Sequence, residues 1–118
     1  MEYYRENNKL IAEFMELPTE VFKSGKVNYY FREFNSGTWY EEHELSYHVS
    51  WDWLMPVVER IEFESEPEVR FVIMQEDCIV SKKDDDGFWK QFIEFNESSK
   101  REATYKAVVE FIKQYNNK

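Results

Sequence analysis

Val69-Arg70-Phe71-Val72-Ile73-Met74-Gln75-Glu76-Asp77-Cys78-Ile79-Val80-Ser81 is the stretch whose reading decides the fold class. Val69 to Met74 is short, apolar and rich in β-branched residues, the pattern of a strand central in a sheet. Glu76-Asp77 turns the chain into Cys78 to Ser81, the second strand of the same hairpin. Lys82 to Gly87 is a polar tip, and Phe88 to Phe95 returns as an aromatic strand. Behind it, Ser99 and Glu102 have the spacing of a capping box, in which a hydroxyl and a carboxylate satisfy each other's backbone donors. Tyr105, Val108, Phe111, Ile112 and Tyr115 follow at helical spacing, with Ala103 and Ala107 permitting close approach. Antiparallel strands followed by a helix with one apolar stripe predict a sheet covered by that helix.

Outward toward the N-terminus, Ser50 is a candidate N-cap for a helix running to about Phe63, with Leu54, Val57, Val58 and Ile61 as its buried stripe. Pro56 constrains it, because proline is tolerated only in the first turn, so a start at Asp52 or Trp53 or a kinked first turn is expected. Lys26 to Phe34 alternates like a half-buried strand, Asn35-Ser36-Gly37 reads as a tight turn, and Thr38 to Tyr47 as the returning strand. Glu2 to about Leu17 has the spacing of an amphipathic helix that must stop before Pro18. Ser24-Gly25 marks a break. The expectation is one α+β domain over residues 1–118, a layered α/β/α-type sandwich with a mainly antiparallel sheet of about four to five strands and three helices.

Composition limits the function. The 118 residues carry 24 acidic and 15 basic side chains, a net charge of −9, which disfavours generic nucleic-acid binding. The lone Cys78 forms no intramolecular disulfide, no apolar run approaches a membrane span, and no basic leader follows Met1, so a cytoplasmic protein is expected. Three glycines, Gly25, Gly37 and Gly87, make neither a P-loop nor a dinucleotide-binding loop. His43 and His48 lie five residues apart with no cysteine pair beside them, so no metal site is expected. Asp84-Asp85-Asp86-Gly87 lacks the first and last ligands of a calcium loop. Cys78, in an apolar strand, reads as a small buried hydrophobe. No cofactor and no enzymatic activity are expected.

Aromatic residues, 19% of the chain, are the surplus feature. Core packing accounts for most of them. Tyr29 with Tyr30, Trp39 with Tyr40, Trp51 with Trp53, and Phe88 with Trp89 overflow onto both sides of their elements. Such a surplus predicts an interface, including a homo-oligomer, or a pocket that stacks a planar ligand. The candidate ligand-binding residues are Tyr47, Trp51 and Trp53 for stacking, with His48 beside them and Arg32 and Arg60 for phosphate.

A resemblance adds to this reading. Tyr47-His48-Val49-Ser50-Trp51-Asp52-Trp53-Leu54-Met55-Pro56-Val57-Val58-Glu59-Arg60-Ile61-Glu62 resembles the hallmark segment of the phage ABA sandwich family of small phage and prophage proteins. Asn7-Asn8-Lys9-Leu10-Ile11-Ala12-Glu13-Phe14-Met15 and Glu102-Ala103-Thr104-Tyr105-Lys106-Ala107-Val108-Val109-Glu110-Phe111-Ile112 agree in order. The aromatic, acidic middle between Phe22 and Tyr40 departs from the family pattern. The resemblance implies an α/β/α sandwich in a bacterial host cytoplasm and carries over no catalytic motif. It implies a counter-defence protein that sequesters a small nucleotide-type signal. The alternative is an acidic protein-interaction module that inhibits a host defence protein, possible as a nucleic-acid mimic.

Overall fold

The computed structural model describes residues 2–33 and 36–117, and the chain gathers into two compact units, Met1–Ser46 and Tyr47–Lys118. In the first unit, helix α1 (Glu2–Phe14) turns Asn7, Asn8, Ile11 and Ala12 inward. The buried Asn8 amide is satisfied by donating to the Leu45 carbonyl (2.8 Å). α1 stops earlier than Pro18 requires. Glu16 adopts a left-handed φ of 56°, and the amides of Glu16 and Leu17 reach back to the carbonyls of Glu13 (3.1 Å) and Ala12 (3.2 Å). That pair of bonds is the Schellman ending, with glutamate where glycine is usual.

Strands β1 (Thr19–Val21), β2 (Val27–Glu33) and β3 (Ser36–Glu41) form an antiparallel sheet in that order. The three-residue β1 was not expected; too short to show a period, it is held by β2 through the Phe22–Lys26 turn, where Gly25 has φ 88°. Of the tight turn expected at Asn35-Ser36-Gly37, Asn35 lies outside the described residues, while Ser36 and Gly37 already pair with Glu33 and Arg32. The returning strand ends at Glu41 rather than Tyr47. Its last partner is Asn28, near the start of β2, and the chain then winds into a 3₁₀ turn, Glu42–Glu44.

In the second unit, α2 spans Trp51–Glu64, with Ser50 at the N-cap position but making no side-chain cap bond. It starts ahead of the position Pro56 suggested. Pro56 sits in the second turn, exposed, where the missing amide costs the Asp52 carbonyl its helical partner. Strands β4 (Val69–Ile73), β5 (Asp77–Lys83) and β6 (Trp89–Asn96) form the second antiparallel sheet, with β5 in the centre. β4, expected to be central, is an edge strand: Arg70 and Val72 are exposed, whereas Cys78 and Val80 on β5 are fully buried. The Phe71 amide, instead of a further strand, finds the Glu62 carboxylate of α2 (2.8 Å). Helix α3 (Lys100–Asn116) packs on β5 and β6, and its Ala103, Ala107 and Val108 are fully buried. Ser99 caps it as its spacing predicted, Oγ accepting the Glu102 amide (3.1 Å). Among the described residues the class is thus α+β with three helices and antiparallel pairing, the strands divided into two sheets of three. Among the described residues no helix is long and apolar enough to cross a membrane.

Candidate functional site

Tyr47, His48, Trp51 and Trp53 are brought together at the start of α2. Tyr47 (1% exposed) and Trp53 (5%) are core side chains packed edge to face at 5.1 Å. Burial drives the Tyr47 phenol well above its ordinary pKa, and its buried hydroxyl has no hydrogen-bond partner among the described residues. His48 is half-buried and edge-on to Tyr105 (6.2 Å). Burial lowers its pKa, with the Glu102 carboxylate opposing, and its carbonyl accepts from Arg101 Nε (3.3 Å). Trp51 is half-buried. Arg60 lies roughly 13 Å farther along the same helix and pairs with Glu64 (2.6 Å). Arg32 is an exposed β2 residue of the first unit. The rings expected to stack a ligand are therefore largely committed to packing.

A groove of about 580 Å³ opens at the other end of α2, entirely within the second unit. Its floor is aromatic. Phe92 meets Phe111 edge to face at 6.3 Å, and Phe111 stacks on Tyr115 at 6.4 Å and 19°. Phe63, the penultimate residue of α2, is 89% exposed at its margin, and Tyr115 is 54% exposed. Glu62, Glu64, Glu66 and Glu68 supply four carboxylates against one cation among the described residues, Lys82. Glu62 holds the Phe71 amide and Glu64 holds Arg60, whereas Glu66 and Glu68 make no ion pair among the described residues. Two free carboxylates and an aromatic floor favour an organic cation over a phosphate.

The first unit has its own cleft, about 450 Å³, in which Arg5 pairs with Glu42 (3.3 Å) and Lys26 with Glu41 (3.6 Å), while Lys9 makes no ion pair among the described residues. Beside it, Glu41, His43 and Glu44 place one potential metal ligand each within 4.8 Å of one another. The Glu44 carboxylate accepts the Glu41 amide (2.9 Å), so the cluster also serves as the cap of the 3₁₀ turn. Cys78 is fully buried beside Thr104, and burial pushes its thiol up to about 11. Such a thiol is a poor nucleophile at neutral pH.

No protein-family model, curated protein or solved structure matches this chain. The resemblance to the phage proteins therefore rests on the quoted segments alone. Phe63, Glu66, Glu68, Lys82 and Tyr115 were not singled out as site residues from sequence. One signal was available: Glu62-Phe63-Glu64-Ser65-Glu66-Pro67-Glu68 alternates four glutamates through a helix end and carries a phenylalanine off the buried stripe of α2.

Proposed function

We propose that this chain is a non-enzymatic binding protein whose groove at the end of α2 takes a basic, partly apolar segment of another protein. The observation that carries this reading is the pairing of an aromatic floor, with Phe63 and Tyr115 exposed, and the unpaired carboxylates of Glu66 and Glu68. Exposed aromatics provide contact area at low entropic cost, and a rim of one charge sign selects the complementary partner. The same carboxylates repel phosphate. With Tyr47 and Trp53 buried, the geometry favours a protein partner over a nucleotide-type signal. On the resemblance of residues 47–62 to small phage proteins, that partner would be a host protein.

Calorimetric titration with a short peptide alternating leucine and arginine tests the reading, with ADP-ribose and a cyclic dinucleotide as comparators. Peptide binding should weaken as salt rises from about 50 to about 500 mM, and by about tenfold in the Glu66→Gln, Glu68→Gln double variant. Heat with a nucleotide and none with the peptide would overturn it.

A further inference from the structure

We infer that the ring face of Phe92 is the groove's seat for a guanidinium or alkylammonium group, and that Lys82 of the chain itself now occupies that seat. The inference rests on the groove being the binding site. Lys82 Nζ stands 5.1 Å from the centroid of the Phe92 ring, inside the ~6 Å reach of a cation–π contact. Four carboxylates line the same groove, yet Lys82 makes no ion pair among the described residues. Its ammonium is placed by the ring.

The seat has a backbone origin. The ladder between β5 and β6 pairs Val80 with Ile93 and Ser81 with Gln91, leaving Phe92 as the extra residue of a bulge. A bulge re-aims a side chain, and here Phe92 meets Phe111 of α3, which in turn stacks on Tyr115. One face of this aromatic row is therefore covered by a flexible, solvent-exposed lysine. A partner's arginine is better suited to the position, because its planar guanidinium is more weakly hydrated and stacks on rings. It takes the ring face in the groove that Glu66 and Glu68 also line, and Lys82 moves into solvent. Lys82 thus competes with the ligand by place and by charge, and removing its charge tightens binding.

The test uses the full chain as wild type, Lys82→Gln, Phe92→Leu and the double variant. Each is checked by thermal melting and titrated with the leucine–arginine peptide and with the same peptide carrying uncharged citrulline for arginine. Lys82→Gln should bind the arginine peptide roughly two- to fivefold more tightly. The gain should vanish for the citrulline peptide and in the Phe92→Leu background, which keeps apolar bulk without a ring face. Wild-type binding with no gain in Lys82→Gln, or an equal gain for citrulline, overturns the seat and leaves the groove standing. No binding by any variant overturns the groove and the seat together.

Discussion

Phe63→Ala separates binding from folding more cleanly than any other single change. Phe63 is 89% exposed at the penultimate position of α2, so its ring contributes almost nothing to the packed interior. Substituting an exposed helical residue shifts stability by no more than about 0.5 kcal/mol, and alanine's helix preference pulls the change toward zero or slight stabilisation. A partner that covers the groove margin changes this balance. Burying a phenyl ring is worth about 1.5–3 kcal/mol, which corresponds to a loss of about ten- to 150-fold in affinity when the ring is removed. Urea denaturation reads the first quantity and calorimetric titration with the basic peptide reads the second. An unchanged Kd, or a stability loss above about 1 kcal/mol, would refute the assignment of Phe63 to a partner rather than to the fold.

Two further outcomes concern the scaffold. Burial lifts the Cys78 thiol from an ordinary 9.0 to about 11, so the folded chain keeps a proton that the unfolded chain releases. The associated stability, of order 2 kcal/mol, is complete below pH 9 and lost as pH rises through 11; urea melts of wild type and Cys78→Ala across that range should show a steeper loss in wild type, over the slope that the buried Tyr47 phenol gives both. Glu16→Gly relieves a left-handed φ of 56°, about 1–2 kcal/mol against glycine's entropic cost of about 0.5–1, and should raise the melting temperature; a lowered one would contradict the Schellman ending of α1.

Local chemistry made α3 legible, since the Ser99 hydroxyl does bond the Glu102 amide and the expected apolar stripe is buried from Tyr105 to Ile112, though its last member, Tyr115, is exposed. It failed where tertiary pairing decides. Val69 to Met74 is apolar enough for a central strand, but its outer edge meets the Glu62 carboxylate rather than another strand. Thr38 to Tyr47 alternates well, yet its partner β2 runs out at Asn28, and no property of the later residues marks that point. The candidate ligand residues show the same limit. Trp53 looks like surplus beside Trp51 in sequence, and only the fold reveals that it is buried against Tyr47. The groove escaped notice for the opposite reason. Its glutamates are ordinary in a chain of net charge −9, and Lys82 and Phe92 become a pair only through the β6 bulge.

The most direct test of the central claim is a two-dimensional amide NMR titration of the full chain with the leucine–arginine peptide. A basic-segment binder predicts saturable shifts concentrated at Phe63–Val69, Lys82, Phe92 and Phe111–Tyr115. Shifts confined to Tyr47–Trp53 or to the strand carrying Arg32, or no saturable shifts at all, would contradict it.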